Sequence, residues 1–277
     1  MPTQEITVAT VQMAPKLGQL EDNLIRMREF IDRVATEQPV DLIVFPELVM
    51  TGYELGPRFP QLAQRVPGPA VNVIAQRASE LGVHIAFGMA TRKEKVESVL
   101  YNSAIMVGPD GDVLHQSQKI HLRGEEQITF RSGYQIRECE TALGSDGLTV
   151  GMLVGWDLAF PETARSLVMR GAELLIVLAN WEEPHADEWR VYLRARAYEN
   201  AVFVAAANRV GEEPSYTFFG QSAIVDPYGQ FYASLDDPTE GYAVATLDLD
   251  RMRHRRSETQ ILQCRHPGTY RDVTRKY

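Results

Sequence analysis

Short apolar runs alternate with amphipathic segments along the first third of the chain. Residues 6–13 (ITVATVQM) and 41–45 (DLIVF) are rich in β-branched and other apolar residues, which predicts buried strands. Between them, residues 22–36 place apolar side chains at helical spacing. A second helix is predicted over 71–81 and a third strand over 83–89. This β-α-β-α-β order is typical of stacked βαβ units.

The rest of the chain repeats this order and adds hairpins. The turn sequences GPDG at 108–111 and DPYG at 226–229 each predict a β-hairpin. Further strands are predicted over 100–107, 113–118, 148–154, 174–178, 202–207, 221–225, 230–235 and 242–247, and helices over 162–170, 188–200 and 251–259. We expect one domain over residues 1–260. The polar, basic segment 261–277 is either a frayed tail or an arm that docks on a partner subunit.

Composition and charge narrow the possible partners. The 277 residues are 44% hydrophobic, which is enough to bury a core, and the formal charge of −9 disfavours nucleic acid and anionic membranes. The two cysteines, Cys139 and Cys264, are too few for a disulfide framework and lack metal-site spacing. The sequence implies neither a metal nor an organic cofactor. Neither a signal peptide nor an apolar run of membrane-spanning length is evident, which predicts a cytoplasmic protein.

Three segments place polar groups directly after a predicted strand, where α/β sheets present their sites. Glu47 is either a general base or a partner in a structural ion pair, and Lys119 is either a solvated charge or a group that holds an oxyanion. His121 lies two residues after Lys119, and a lone histidine of this kind is more often structural than catalytic. The third segment, 151–162 (GMLVGWDLAFPE), predicts a strand, a sharp turn and a helix, the shape of a nucleophile elbow. It contains no Ser, Cys or Thr, so taken alone it favours a packing turn.

Together, these segments resemble the nitrilase superfamily of carbon–nitrogen hydrolases. Its members carry a Glu in an FPE context, a Lys in a K-x-H-L context and a Cys in a C-[YW]-D-x-x-[FY]-P-E context. This chain has FPELVMTGY, QKIHLRGEE and GWDLAFPE in the same order, and the resemblance spans roughly residues 5–250. Further matches are ANW at 179–181, RARAYEN at 194–200, ANRVG at 207–211, FGQS at 219–222 and VDPYG at 225–229. The resemblance implies an α/β fold, a four-layer α-β-β-α sandwich with two sheets face to face.

The resemblance also assigns roles to individual residues. Glu47 matches the general base, Lys119 the lysine that stabilises the tetrahedral intermediate, and Glu126 a second glutamate that positions the substrate. Gly155 stands at the position of the nucleophilic cysteine, with the N–H of Trp156 as an oxyanion donor. We therefore expect the three side chains to converge on the Gly155 turn.

Glycine has no side chain, so the covalent step has no nucleophile. Three explanations are open. The chain is an inactivated amidase variant, or it is a natural pseudoenzyme that acts as a small-molecule-binding or regulatory protein. In the third, a displaced cysteine, Cys139 or Cys264, is the nucleophile. If the loss is recent, we expect Gly155→Cys to restore turnover without further change.

The Trp-Asp pair after Gly155 resembles the amidase and carbamoylase branches of the family rather than true nitrilases. The implied reaction is hydrolysis of a carbon–nitrogen bond in a small amide, such as an ω-amide of a small acid, an aminated aliphatic amide or an N-carbamoyl compound, with release of ammonia. Tyr53, Trp156 and Trp181 are candidate substrate contacts, although such aromatic residues are more often core. The family's subunits meet through the helices predicted here at 162–170 and 188–200, which implies a homodimer or larger homo-oligomer.

Overall fold

Two six-stranded sheets form the centre of the computed structural model, which describes residues 4–275. The strands are β1 (Glu5–Gln12), β2 (Leu42–Val44), β3 (His84–Arg92), β4 (Leu100–Val107), β5 (Val113–Gln118), β6 (Glu138–Thr141), β7 (Leu148–Val154), β8 (Leu174–Ala179), β9 (Phe203–Asn208), β10 (Val210–Glu213), β11 (Tyr216–Phe219), β12 (Ala223–Val225), β13 (Phe231–Ser234) and β14 (Gly241–Asp248). The helices are α1 (Leu20–Glu37), α2 (Phe59–Leu62), α3 (Pro69–Leu81), α4 (Glu126–Thr129), α5 (Pro161–Met169), α6 (Ala186–Asn200) and α7 (Leu249–Thr259).

Both sheets have the same pattern of strands. In the first sheet, ordered β14-β1-β2-β3-β4-β5, the strands β1, β2 and β3 are parallel and their outer neighbours are antiparallel. The second sheet, ordered β6-β7-β8-β9-β12-β13, repeats this arrangement around the parallel strands β7, β8 and β9. The two halves that share one order of elements in the sequence therefore build equivalent sheets.

Three apolar cores separate four layers. Val8 and Val44 of the first sheet meet Val150 and Ile176 of the second in the core between the sheets. The outer face of the first sheet packs on α1 and α3, and the outer face of the second on α5 and α6. Because each sheet is buried on both faces, its central strands are apolar throughout, as in LLIVLA of β8. The predicted α-β-β-α sandwich is confirmed.

Three strands were not predicted. β6 has the sequence ECET and lies at a sheet edge, where Cys139 is buried and the other three residues are exposed or half-buried. β10 and β11 form a separate two-stranded sheet that belongs to neither large one. Polar and edge strands lack the long apolar pattern by which the others were identified.

The segment after α7 is mostly exposed up to residue 275. It forms turns and two short 3-10 helices, Pro267–Thr269 and Arg271–Thr274, and Leu262 contacts the core under α5 and α6. Residues 276–277 of the predicted tail lie outside the described residues. Within residues 4–275, no helix has the length and apolar character needed to cross a membrane.

The core between the sheets should dominate stability. Ile176 is fully buried there, so Ile176→Ala should lower the free energy of unfolding by about 2–5 kcal/mol, measured by urea denaturation. Ile25→Ala is the matched control, because Ile25 lies on α1 with 55% of its surface exposed. It should change stability by no more than about 0.5 kcal/mol. Equal effects of the two substitutions would contradict the packing described here.

Candidate active site

The predicted site residues lie where strands of both sheets end. Glu47 follows β2, Lys119 follows β5 and Gly155 follows β7. Lys119 Nζ lies 2.8 Å from Glu47 Oε1 and 2.7 Å from Glu126 Oε1. A Cβ atom added to Gly155 would lie 2.5 Å from Glu47 Oε2 and 2.8 Å from Lys119 Nζ. The structure thus brings Glu47, Lys119 and Glu126 together at the Gly155 turn.

A glycine in β3 allows the Glu47 loop to lie directly on the sheet. A Cβ atom on Gly88 would lie 2.5 Å from Glu47 Cα and 2.7 Å from the Leu48 nitrogen. Gly88 donates its N–H to the carbonyl of Pro46, and its own carbonyl accepts the N–H of Val49, both at 3.1 Å. Because only glycine permits this approach, Gly88 sets the position of the Glu47 backbone.

The turn at Gly155 has the geometry of a nucleophile elbow. Gly155 has a φ of +48° and begins the 3-10 helix Gly155–Ala159 directly after β7. A residue with a side chain is strained in this left-handed conformation by about 1–2 kcal/mol. The N–H groups of the first helical turn, including that of Trp156, have no partner within the helix and can face an anion.

Asp157 ties the Lys119 segment to this elbow. Its buried carboxylate accepts the N–H of Ile120 at 3.2 Å, the N–H of His121 at 2.8 Å and a hydrogen bond from His121 Nδ1 at 2.8 Å. The His121 ring stacks on Phe160 with 3.6 Å between the ring centroids. His121 therefore has the structural role that the sequence favoured over catalysis.

Asn102, which the sequence did not identify, bridges the two carboxylates. Its Nδ2 donates to Glu47 Oε1 at 2.6 Å and to Glu126 Oε1 at 3.1 Å, the same oxygens that accept from Lys119 Nζ. Its carbonyl accepts the N–H of Lys119 at 2.8 Å. A signal was present, because Asn102 and Ser103 interrupt the apolar residues of strand β4, and a fully buried polar residue such as Asn102 needs partners.

The second oxygen of each of these carboxylates, Oε2, accepts a hydrogen bond from a main-chain N–H group. Asn180 donates its N–H to Glu47 Oε2 at 2.9 Å, and Arg123 donates its N–H to Glu126 Oε2 at 2.9 Å. Asn180 follows β8, so strands of both sheets contribute to the position of Glu47.

One ammonium group faces two carboxylates in this buried site. Burial raises the pKa of Glu47 from its ordinary 4.5 to about 7, opposed by the charge of Lys119 and reinforced by that of Glu126. Burial lowers the pKa of Lys119, but the carboxylates of Glu126 and Glu47 outweigh it and hold the pKa above its ordinary value. The site combines a stable cation with a carboxyl group that exchanges a proton near neutral pH, as general acid–base catalysis requires.

The β10–β11 hairpin, which was not predicted, contacts Tyr53 in the segment that follows Glu47. Tyr53 contacts Tyr216 and Phe218 of this hairpin, with ring centroids 5.2 and 6.1 Å apart. Glu213, which forms a buried ion pair with Arg209, accepts the N–H of Tyr53 at 3.0 Å. Tyr53 is therefore fixed in place by a part of the chain far away in sequence.

The two tryptophans predicted as substrate contacts have different surroundings. Trp156 is half-buried beside the elbow, with the Arg123 guanidinium 5.8 Å from its ring centre. Trp181 is only 3% exposed, and its ring lies 5.5 Å from that of Trp189 and 6.0 Å from that of Tyr192, in the core under α5 and α6. Its ring is a packing element, in contrast to the predicted substrate contact.

The cysteines lie away from this arrangement. Cys139 is buried in the core between the sheets, where burial and then Glu140 raise its pKa to about 11, so its thiol is a poor nucleophile. Cys264 is exposed and lines a cavity of about 880 Å³ between α5 and the C-terminal segment. Among residues 4–275, no group of three or more His, Cys, Asp and Glu side chains is arranged to hold a metal ion.

Comparison with known proteins finds a matching family model, similar sequences and similar solved structures. The family model "Carbon-nitrogen hydrolase" matches residues 7–257. A probable nitrilase of Schizosaccharomyces pombe is 36% identical over 95% of this chain and 97% of its own length. An (R)-stereoselective amidase of Pseudomonas sp. is 33% identical over 93% of this chain and 90% of its own. The solved structure of a double mutant of the Nesterenkonia amidase, with a glutamate changed to glutamine and a cysteine to alanine, in complex with acrylamide, matches with a TM-score of 0.80 and 27% identity, over 94% of this chain and 97% of that one.

The raised pKa of Glu47 predicts a pH dependence of stability. The folded protein keeps a proton on Glu47 that the unfolded chain releases, so this contribution to stability is complete below about pH 4.5 and disappears as the pH rises to about 7. Relative to Glu47→Gln, the wild-type free energy of unfolding should therefore fall across this interval and stay level above it. Glutamine cannot accept the Asn180 N–H through its amide nitrogen, which adds an offset that does not vary with pH. Urea denaturation at a series of pH values measures the difference, and a flat difference would contradict the raised pKa.

Proposed function

The chain belongs to the carbon-nitrogen hydrolase family, and we propose that its buried site binds a small amide but lacks the nucleophile that would cleave it. The observation that carries the proposal is the position of residue 155. A side chain on the elbow would begin within 3.0 Å of both Glu47 and Lys119, where the family chemistry needs a thiol.

A cysteine at this position would complete a hydrolytic cycle. Glu47 Oε2 takes the thiol proton, and the sulfur attacks the amide carbon. Lys119 Nζ and the Trp156 N–H donate to the oxyanion that forms. Glu47 then returns the proton to the departing nitrogen, so that ammonia leaves and a thioester remains. A water molecule, deprotonated by Glu47, attacks the thioester to give the carboxylic acid and the free thiol.

With Gly155, the groups that bind the substrate are still present. Lys119 Nζ and the Trp156 N–H can donate to an amide carbonyl, and the carboxyl groups of Glu47 and Glu126 can accept from its N–H groups. The structure of the related amidase contains acrylamide although a glutamate and a cysteine of that protein are replaced. This supports the proposal that an amide can bind in the absence of the nucleophile. Loss of the covalent step removes orders of magnitude in rate and leaves a small remainder.

The proposed amide site is compatible with two origins of the glycine at position 155. In an inactivated amidase variant, the other groups are kept because turnover was lost recently, and the complete Glu47–Lys119–Glu126–Asn102 network supports this origin. In a natural pseudoenzyme, the same groups are kept because they bind a regulatory metabolite. The response to a restored cysteine separates the two.

Gly155→Cys should restore ammonia release from some members of a panel of ω-amides, aliphatic amides and N-carbamoyl compounds. The sequence alone suggested that no other change is needed, but Glu47 Oε2 and Lys119 Nζ must move away from a Cβ atom at 2.5 and 2.8 Å. Gly155→Ala is the matched control, because it introduces the same Cβ and the same left-handed strain without a thiol. Both variants should lose about 1–3 kcal/mol of stability, and only the cysteine variant should be active.

A folded, inert Gly155→Cys protein, together with tight metabolite binding by the wild type, would favour the pseudoenzyme. Strong activity of the wild type that Cys264→Ala abolishes would instead reveal a displaced nucleophile and overturn the proposal.

The proposal extends to assembly through α5 and α6. Large apolar side chains are exposed on both helices and on the C-terminal segment, including Met169, Val191 and Val273, and a partner subunit that packs on these helices would cover them. Light scattering at micromolar concentration should report a dimer or larger species, and Val191→Asp should shift it toward monomer. Ile25→Asp, on the exposed face of α1, is the control and should leave the mass unchanged. A wild-type monomer would contradict the proposal.

A further inference from the structure

A cavity of about 470 Å³ lies beside β3, β4 and β5 of the first sheet. This cavity, which we call the rear cavity, is lined by residues 65–67 before α3, residues 92–94 at the end of β3, and Tyr101, Gln116, Gln118 and Tyr134. Its volume is in the range of small-molecule sites, roughly 300–1,000 Å³. Apart from Val66 and Pro67, its lining is polar, charged or aromatic, which favours a polar ligand.

One positive charge of the rear cavity is not balanced. Arg65 forms an ion pair with Glu97, which also lies 3.5 Å from the guanidinium of Arg92. The lining also contains the carboxylate of Glu94 and the ammonium group of Lys93, which belongs to neither ion pair. Three cations therefore share two carboxylates, in a chain whose formal charge is −9. Such a local excess of positive charge favours an anionic ligand.

Two tyrosines give the rear cavity aromatic walls. Tyr101 is only 9% exposed, whereas 79% of the surface of Tyr134 is exposed, so a ligand beside it would cover an open ring. Gln116 is held in place because its Nε2 donates to Thr91 Oγ1 at 3.2 Å and to Ser103 Oγ at 3.3 Å. The walls therefore suit a planar ligand that also carries hydrogen-bonding groups.

Strand β4 separates the rear cavity from the active site. Met106 of this strand faces the core between the sheets, and Ile105 faces the core under α1 and α3. The alternation of side chains places Asn102 on the inner side with Met106, and Tyr101 and Ser103 on the outer side with Ile105. Opposite faces of one strand thus serve the active site and the rear cavity.

Main-chain hydrogen bonds join the walls of the rear cavity to Lys119. Gln118 directly precedes Lys119, whose N–H donates to the carbonyl of Asn102 at 2.8 Å. Gly133, which precedes Tyr134, donates its N–H to the carbonyl of Lys119 at 2.8 Å. A ligand that shifts Gln118 or Tyr134 would therefore also shift the backbone that positions the Lys119 ammonium.

We propose that the rear cavity is a regulatory site for a small planar carboxylate. Lys93 pairs with the carboxylate, the rings of Tyr101 and Tyr134 pack on the planar body, and Gln118 binds its polar substituent. The ligand and an amide at the active site then change each other's affinity. Binding in the rear cavity is independent of the proposed function, whereas the regulatory effect rests on it.

Calorimetric titration of the protein with 4-hydroxybenzoate tests the binding site, and 4-hydroxybenzyl alcohol is the uncharged analogue. The wild type should bind the carboxylate roughly tenfold more tightly than the alcohol. Lys93→Gln should weaken carboxylate binding about fivefold. Lys95→Gln is the matched control, because it removes the same charge from an exposed residue outside the lining, and binding should be unchanged. Absence of binding, or an equal effect of the two substitutions, overturns the proposal.

A second titration tests regulation. Ligand-observed NMR measures the affinity of the wild type for propionamide with and without saturating 4-hydroxybenzoate, and a change of at least about fivefold is expected. Lys95→Gln should show the same change and Lys93→Gln a much smaller one. An unchanged affinity, or a change that is as large in Lys93→Gln, overturns the regulatory role. If propionamide does not bind under any condition, the proposed function fails, and the first titration still decides whether the rear cavity binds a carboxylate.

Discussion

One buried ammonium group, shared by two carboxylates, determines how the rest of the site is built. Lys119 neutralises only one of Glu47 and Glu126 at a time, and all three side chains are almost completely removed from water. A buried ion pair is tolerable only when further hydrogen bonds satisfy its remaining atoms. Asn102 and the N–H groups of Asn180 and Arg123 supply those bonds. Any change that removes one of these partners leaves charge unpaired, so the arrangement is held together as a unit.

The stacking of the two sheets brings these partners into reach of one another. Glu47 and Lys119 come from the end of the first sheet, and Gly155 and Asn180 from the end of the second. Apolar packing between the sheets therefore sets the distances within a polar site, and it also excludes the water that would weaken the electrostatic interactions. The outer helices cover the opposite faces, and the hairpin of β10 and β11 stands at the side of Tyr53. Stability and chemistry depend on the same packing.

The sequence was most informative where a local pattern determines the structure. Long apolar strands, helical spacing and the motifs around Glu47, Lys119 and Gly155 predicted the sandwich and the residues that the structure brings together. Asn102 was missed because its partners are distant in the chain, and the β10–β11 hairpin because each of its strands is only four residues long. Trp181 was predicted as a candidate substrate contact, although such aromatic residues are more often core. Its ring instead packs in the core under α5 and α6, beside Trp189 and Tyr192.

Because the backbone at Gly155 is left-handed, a substitution of cysteine by glycine at this position relieves strain, and the reverse substitution introduces it. A cysteine there carries conformational strain that catalysis alone justifies, whereas glycine adopts the same turn without strain. Once selection for turnover is relaxed, replacement of the cysteine by glycine is favoured by folding itself, and the return has to work against folding. The cysteine and glycine codons can differ by a single base, so the forward step is also short. At residue 155 of this chain, a side chain therefore works against folding, and glycine avoids that strain.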